Sequence, residues 1–270
     1  MAVWRFRDRQ LDLTATAVMG ILNVTPDSFS DGGRYDTVER AVERALAIER
    51  EGAAILDIGG QSTRPGHVPV PPEEEWRRLA PVLAALAGKI HLPISIDTYY
   101  TDVAERALES GACIINDVSG SLDNGMPALC ARYGAGLVMM HNRAGHNTPQ
   151  DVRRYFETAL AAAADAGLAA AHLALATGVG FEKNQEEDAR LIACLPSIME
   201  GLFDAAVLVG ASRKRVTGAF CGQPPFAERL PATLAIHTVA QWNGANVLRV
   251  HDVAAAVQAA AMTGALLERR

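Results

Sequence analysis

Short apolar runs alternate with longer amphipathic segments along most of this chain. Each run is bounded by polar or glycine-rich sequence, a pattern typical of strands buried on both faces of a parallel sheet. Eight runs are predicted to be strands: Ala17–Leu22, Ala54–Ile58, Ile94–Ile96, Cys113–Ile115, Gly136–Met140, Leu173–Ala176, Val207–Gly210 and Val247–Val250.

The segments between these runs have the spacing of amphipathic helices. In residues 38–51, Val42, Ala45 and Ile48 share one face. The segment 73–86 follows two prolines and has three glutamates in its first turn, where the helix dipole favours anions. Further helices are predicted over 102–109, 152–166, 185–195, 228–243 and 252–268.

This alternation predicts a (β/α)8 barrel, or TIM barrel, as a single domain over residues 1–270. A doubly wound open sheet is the competing architecture. The number of β–α units favours the barrel. The polar residues after nearly every strand favour it too, because an open sheet concentrates such residues at one switch point.

Composition limits the classes of partner and compartment. The chain is 49% hydrophobic, and its net charge of −6 weighs against nucleic acid or an anionic membrane as the main partner. The N-terminal residues lack the apolar core of a signal peptide. The four cysteines form no C-x-x-C pair and are expected to be small buried residues in a reducing compartment. We therefore expect a cytoplasmic protein.

A long polar loop follows the first predicted strand. Residues 23–33 contain an amide, hydroxyls, carboxylates, the aromatic Phe29 and two glycines. An ordinary connection of this kind needs only about two to six residues. The loop is therefore predicted to be an active-site lid or an anion clamp.

Polar residues follow all eight predicted strands, and a barrel gathers these positions at one mouth. Each has an ordinary explanation when taken singly, since Asp97 or Asn116 could cap a helix. Their joint placement indicates an active site. The segments are Asn23–Gly33, Asp57–Gly66, Asp97–Thr98, Asn116–Gly120, His141–Arg143, Gly178–Lys183, Gly210–Arg215 and Arg249–Asp252.

The residue types in these segments suit a particular kind of substrate. A carboxylate and an amide, Asp97 and Asn116, suit a flat polar heterocycle with N–H donors. Asn23 offers a neutral oxygen ligand for a magnesium ion that a diphosphate already holds.

Cationic residues complete this set. Arg64, Lys214 and Arg249, together with His251, suit an anionic group such as a phosphate. The sequence has no zinc motif and no sign of a thiol nucleophile. These residues predict an enzyme that acts on a phosphorylated or diphosphorylated heterocycle with Mg²⁺.

The sequence also resembles the dihydropteroate synthase family from Met19 to about Val253. The motifs that carry the resemblance are Asn23–Gly33, Asp57–Gly66, Ser95–Thr98, Ile115–Gly120, Met140–His141, Gly210–Lys214 and Leu248–Val253. The resemblance implies a (β/α)8 barrel, commonly a homodimer. It also implies Mg²⁺-dependent condensation of 6-hydroxymethyl-7,8-dihydropterin diphosphate with p-aminobenzoate by dissociative substitution, in folate biosynthesis.

The resemblance assigns roles to the ring-binding and diphosphate-binding residues. Asp97 and Asn116 would bind the pterin ring, and Lys214 would lie over it near the second substrate. Asn23 would contact the diphosphate-bound Mg²⁺. The diphosphate would be held by Arg64, Arg249 and His251.

The second substrate has its own predicted contacts. The resemblance implies a p-aminobenzoate pocket lined by Thr63, Pro65, Phe181 and Ser212, with Phe29 on the first loop.

The sixth-strand motif departs from the family pattern. The family usually has Asp-Pro-Gly-x-Gly-Phe-Gly-Lys, so its pterin-binding aspartate falls on Ala176 and its proline on Thr177. Gln61 replaces a glutamate, and Glu182 replaces a glycine. Alanine cannot accept hydrogen bonds from the ring, which typically costs about 1.5–3 kcal/mol when the lost acceptor is charged.

Three alternatives follow from this departure. The chain could be a synthase in which Thr177 or a water covers the missing contact, or an impaired or engineered variant of a synthase. It could also be a non-catalytic or repurposed homologue that binds pterin or diphosphate. A pterin-dependent methyltransferase is disfavoured, because a methyl donor has no diphosphate for the cationic residues to hold.

Overall fold

The computed structural model describes residues 3–25, 34–62, 68–202 and 204–269. Eight parallel strands form a closed barrel in the order β10-β3-β4-β5-β6-β7-β8-β9, in which β10 pairs with both β3 and β9. The strands are β3 (Ala17–Asn23), β4 (Ile55–Gly59), β5 (Ile94–Asp97), β6 (Ile114–Asp117), β7 (Gly136–Met140), β8 (Leu173–Ala176), β9 (Ala206–Val209) and β10 (Val247–Val250). The predicted (β/α)8 barrel is confirmed, and the alternative of an open sheet is wrong.

Helices follow the strands around the outside of the barrel. They are α1 (Arg34–Arg50), α2 (Pro72–Leu86), α3 (Thr101–Glu109), α4 (Met126–Tyr133), α5 (Pro149–Asp165), α6 (Gln185–Ala193), α7 (Leu195–Met199), α8 (Val216–Ala219), α9 (Leu230–Trp242) and α10 (Val253–Leu267). The strand boundaries agree with the predicted ones within two residues. The single domain over residues 1–270 stays a prediction.

An N-terminal hairpin was not predicted from the sequence. The antiparallel strands β1 (Val3–Phe6) and β2 (Arg9–Asp12) place Trp4 and Phe6 in the core, with their rings edge to face at 5.9 Å. Trp4 Nε1 donates a hydrogen bond of 2.9 Å to the carbonyl of His172, just before β8. The hairpin therefore packs at the amino-terminal end of the barrel strands, opposite the end where the polar segments lie.

Alternate residues of each barrel strand point inward. On β4, Ile55 packs in the inner cluster with Met19 and Val247, whereas Leu56 and Ile58 pack in the outer layer against the helices. This two-residue period also turns the polar residues near the carboxyl ends of the strands toward the barrel axis. The interior is thus apolar at one end and polar at the other.

Two further expectations concern membranes and cysteines. Within the described ranges, no helix is both long and apolar enough to cross a bilayer. All four cysteines are free thiols; Cys113 and Cys130 are buried as expected, but Cys221 is exposed. The expectation of buried cysteines is therefore wrong for Cys221, which lies beyond the short helix α8, and for Cys194, which is half-buried.

Candidate active site

The predicted ring-binding residues lie side by side at the mouth of the barrel. Asp97 on β5 is in register with Asn116 on β6, and both side chains are buried. Asn23, the last residue of β3, is in register with Gly59, which is itself paired with Asp97. The fold therefore brings together groups that are far apart in the sequence.

Arg249 connects two buried carboxylates across the barrel. Its Nε is 2.6 Å from Oδ2 of Asp57, and its Nη2 is 2.7 Å from Oδ2 of Asp97. The second oxygen of Asp97, Oδ1, is buried and has no hydrogen-bond partner within the described part of the chain. Burial raises the pKa of Asp97 to about 7, although the charge of Arg249 opposes this shift.

Asp57 is a central residue of the site, and the sequence analysis gave it no role. It accepts hydrogen bonds from Ser95 Oγ at 2.6 Å and from Asn116 Nδ2 at 3.1 Å, besides its contact with Arg249. The signal for Asp57 and Ser95 was present in the sequence, since each is a polar residue at an inward position of an otherwise apolar strand.

Lys214 lies on the opposite side of the mouth, in the loop after β9. Its Nζ donates to the carbonyl of Val179 at 2.6 Å and lies 4.5 Å from the ring centroid of Phe181. Burial lowers the pKa of Lys214 to about 7, and the charge of Arg249 lowers it further, against the opposing charges of Asp188 and Asp97. Lys214 therefore changes charge near neutral pH.

Ala176, at the end of β8, lies on an apolar part of the mouth. It is buried in the inner cluster with Met140, Leu208 and Ala174, and Phe181 packs against this cluster. Its backbone carbonyl accepts a hydrogen bond of 2.9 Å from the backbone N–H of His141. Where the family has a carboxylate, this chain therefore has a small apolar surface.

Ser212 and His251 form a pair near the entrance. Ser212 Oγ lies 3.0 Å from Nδ1 of His251, and the backbone N–H of His251 donates to the same oxygen at 3.1 Å. The ring of Phe226 meets that of His251 edge to face at 5.9 Å. Arg213, which has a left-handed backbone φ of 56°, is ion-paired with Asp252 beside them.

A buried network lies behind Asp97. Glu75 of α2 is fully buried and accepts a hydrogen bond of 2.8 Å from Thr98 Oγ1. Burial raises the pKa of Glu75 to about 7 against the opposing effect of this hydrogen bond. Gln61 Oε1 accepts a hydrogen bond of 3.1 Å from the hydroxyl of Tyr99. The residues after β5 are thus anchored both to α2 and, through Gln61, to the segment that follows β4.

Not every predicted site residue can be placed. Phe29, Thr63, Arg64 and Pro65 lie outside the described residues. Within the described ranges, no group of three or more His, Cys, Asp or Glu side chains could hold a metal ion. The fold brings together the others: Asn23, Asp97, Asn116, Ala176, Phe181, Ser212, Lys214, Arg249 and His251.

Comparison with known proteins identifies the class to which this barrel and its polar mouth belong. A family model described as pterin binding enzyme matches residues 19–251. The chain belongs to this family of pterin-binding enzymes.

The individual relatives narrow the class. A dihydropteroate synthase of Streptococcus pyogenes is 42% identical over 244 residues, which cover 88% of this chain and 91% of that protein. A dihydropteroate synthase of Xanthomonas albilineans, solved with 4-aminobenzoic acid, is 40% identical, covers 98% of each chain and has a TM-score of 0.91. Within the family, the chain therefore falls among the dihydropteroate synthases, which are transferases, and the resemblance predicted from sequence is confirmed.

Some relatives are much longer than this chain. The mitochondrial folate synthesis bifunctional protein of Arabidopsis thaliana is 38% identical over 291 residues, which cover 99% of this chain but 51% of that protein. The chain thus spans about half the length of this plant relative.

Proposed function

We propose that the chain condenses 6-hydroxymethyl-7,8-dihydropterin diphosphate with p-aminobenzoate to give dihydropteroate and diphosphate, a step of folate biosynthesis. The observation that carries this proposal is the buried acceptor Oδ1 of Asp97, which lies next to Asn116 and beside Arg249. A related synthase of the same fold is solved with 4-aminobenzoic acid, which supports the choice of second substrate.

The ring-binding side of the proposal follows from hydrogen bonding. A pterin edge presents N–H donors, and a buried acceptor without a partner is stabilised when a donor reaches it. Asp97 and Asn116 lie on adjacent strands, so one flat ring can reach both. Both side chains are buried, and the low local dielectric of a buried site strengthens each hydrogen bond.

The leaving-group side of the proposal depends on charge. In the substitution, the bond between the exocyclic carbon and the diphosphate oxygen breaks, and the diphosphate keeps both electrons. Arg249 and His251, with Arg64 outside the described residues, would stabilise that growing negative charge. Lys214 would orient the ring and the incoming aniline, whose neutral nitrogen attacks the carbon and then releases one proton to give dihydropteroate.

Mg²⁺ fits this site as an ion that arrives with the substrate. The end of β3 supplies one neutral oxygen, from Asn23, and the described residues form no cage of carboxylates. Mg²⁺ bound to Asn23 and to the diphosphate would neutralise part of the leaving group's charge.

Ala176 is the position at which this chain lacks the carboxylate of the family, so the test of the proposed function centres on it. Without a carboxylate at this position, ring recognition falls to Asp97 and Asn116. A charged hydrogen bond is typically worth about 1.5–3 kcal/mol, so its absence would weaken binding or rate about 10- to 150-fold relative to a synthase that has it.

The test compares turnover by the unmodified chain, Ala176→Asp and Ala176→Asn with Mg²⁺ and both substrates. The amide variant is the matched control, since it supplies an acceptor without a charge. Product from the unmodified chain would establish the proposal, and a further rise in Ala176→Asp alone would show that the charge matters. If the unmodified chain forms no product and Ala176→Asp does, the chain is a synthase impaired at one position. If none of the three proteins forms product, the non-catalytic or repurposed homologue is favoured.

The same proposal includes a homodimer formed through the last two helices. Exposed apolar side chains lie on both helices: Val239 and Trp242 on α9, and Met262 and Leu266 on α10. Neighbouring exposed apolar groups of this kind favour a protein–protein contact. Light scattering should give twice the chain mass, and Val239→Glu with Met262→Glu should give the chain mass. A monomeric unmodified protein would contradict this.

Apart from a second copy of the chain, the proposed partners are small molecules, and neither nucleic acid nor a membrane is among them. The proposed compartment is the cytoplasm. The four free thiols support a reducing compartment. Fractionation of the native host would test this, and recovery of the protein outside the cytoplasm would contradict it.

A further inference from the structure

Asp57 is fully buried in the barrel and has no role in the reaction as proposed above. We propose that Asp57 is a positioning residue that fixes Asn116 and Arg249 in the orientations that pterin binding requires. This inference rests on the proposed function, because it concerns how the same ring is recognised.

The two oxygens of Asp57 have separate partners. Among the described residues, Oδ1 accepts a hydrogen bond from the Ser95 hydroxyl alone, at 2.6 Å. Oδ2 accepts both the Asn116 amide at 3.1 Å and Arg249 Nε at 2.6 Å. One carboxylate oxygen therefore joins a ring-binding residue to a cationic residue.

The contact with Asn116 determines which end of its amide faces the ligand. An ionised carboxylate only accepts hydrogen bonds, so the amide must turn its NH2 group toward Asp57. The carbonyl oxygen of Asn116 is then left for the ligand. With Oδ1 of Asp97, the site presents two acceptors to the donors of one ring.

The contact with Arg249 keeps the acceptor of Asp97 available. A guanidinium favours a bidentate pair, in which two of its nitrogens bind both oxygens of one carboxylate. Here Nε is held by Asp57, so that within the part of the chain that the structure describes Arg249 reaches Asp97 through Nη2 alone and engages its Oδ2. Without Asp57, Arg249 would be free to bind both oxygens of Asp97 and block the ring.

Asp57 also has an electrostatic effect that can be measured. The charged groups facing Asp97 are Arg249 of β10, Asp57 of β4, Glu75 of α2 and Lys214 of the loop after β9. The negative charge of Asp57 raises the pKa of Asp97, as that of Glu75 does, while the two cations lower it. Removing the charge of Asp57 should therefore lower the pKa of Asp97.

The test is calorimetric binding of 6-hydroxymethylpterin, the ring without a diphosphate, to the unmodified protein, Asp57→Asn and Ser95→Ala across a pH series. Asp57→Asn should weaken binding at least about tenfold and should move the acid limb of binding to lower pH. Ser95→Ala is the matched control, because it removes the contact to Oδ1 but leaves the charge and both contacts to Oδ2. It should change affinity less than about threefold and leave the limb in place.

The outcomes separate this inference from the proposed function. Two results would overturn the positioning role and leave the proposed function intact. One is tight pterin binding by Asp57→Asn that weakens at the same acidic pH as in the unmodified protein. The other is a loss of affinity in Ser95→Ala equal to that in Asp57→Asn. Failure of the unmodified protein to bind the ring would overturn both. If Asp57→Asn does not fold, hydrogen exchange of the Asn116 side-chain amide in the unmodified protein decides. Slow exchange with and without pterin is expected, and fast exchange in the free protein would overturn the inference.

Discussion

The two sides of the barrel mouth hold their charges in different ways. On the charged side, formed by Asp57, Asp97, Asn116 and Arg249, every charge faces an opposite charge, and the hydrogen bonds cross four strands. On the apolar side, formed by Met140, Ala176, Leu208, Phe181 and Lys214, a single lysine donates to one carbonyl among nonpolar groups. The first arrangement fixes the geometry of its charged groups through ion pairs, whereas the second holds its cation through a hydrogen bond to a backbone carbonyl.

The largest expected effect comes from breaking the charged side. Arg249→Met leaves two buried carboxylates without their cation, so we expect the free energy of unfolding to fall by about 3–5 kcal/mol near neutral pH. Lys214→Met is the matched change on the apolar side, and it should cost much less, because Lys214 has no ion pair with a carboxylate of the described residues and donates instead to the carbonyl of Val179.

Urea unfolding of both variants measures the difference, and its pH dependence tests the cause. Asp97 already has a raised pKa, so it should take up a proton as the pH falls and relieve the unpaired charge. The deficit of Arg249→Met should therefore shrink at lower pH. Equal losses in the two variants, or a deficit independent of pH, would refute the contrast between the two sides.

The next effect concerns the loop that carries the apolar side. A Cβ at Gly178, where φ is 69°, would lie 1.9 Å from the carbonyl oxygen of His141, so backbone would have to move. A Cβ at Gly180 would meet Cδ of Lys214 at 2.8 Å, the far part of a flexible side chain. Both alanines carry about 1–3 kcal/mol of backbone strain. Gly178→Ala should lose more stability in thermal melting, and equal losses would show that the loop adapts.

A smaller effect is expected in the pH dependence of activity. Asp97 gains its charge as the pH rises through about 7, and Lys214 loses its charge as the pH rises through about 7. If catalysis needs both charged forms, kcat/KM should peak near neutral pH and fall by up to about tenfold per pH unit on each side. Lys214→Arg, which stays charged, should lose the alkaline limb from whatever activity it keeps. An alkaline limb that persists in this variant would assign it to another group.

The barrel could be predicted from the sequence because its strands and helices each have a characteristic spacing of apolar residues along the chain. Each strand alternates inward and outward residues, so the strand boundaries fell within two residues of the predicted ones. The helices were predicted less closely: α4 was missed, and α1 begins four residues before the predicted segment 38–51. The hairpin at Trp4 and Phe6 was missed because its two short strands are stabilised by packing on the distant β7 and β8, which no local pattern reports.

The sequence predicted which residues lie at the site but not which of them contact one another. Asp97, Asn116 and Arg249 were recognised as polar residues at strand ends, and they do lie together. That Arg249 joins Asp57 and Asp97 could not be predicted, because these pairs span 192 and 152 residues of the chain. Closure of the barrel, rather than any motif, brings them into contact.

The smallest effect is expected at Glu182, where the sequence has an acidic residue in place of the family's glycine. Its φ is 45°, in the left-handed region that costs a non-glycine residue about 1–2 kcal/mol. Glycine there would relieve that strain but add about 0.5–1 kcal/mol of chain entropy on folding. Glu182→Gly should therefore raise the free energy of unfolding by up to about 1 kcal/mol.

Glu182→Ala is the control for that gain, because it keeps the Cβ that causes the strain and removes the rest of the exposed side chain with its carboxylate. The hydrogen bond of 2.8 Å from Asn147 Nδ2 to Glu182 goes to the backbone carbonyl, which neither substitution removes. Urea unfolding should therefore show a gain for glycine and none for alanine. An equal gain for alanine would mean that the side chain with its carboxylate, and not the backbone, destabilises this loop. Charge would then set the stability of the apolar side, as it does on the charged side.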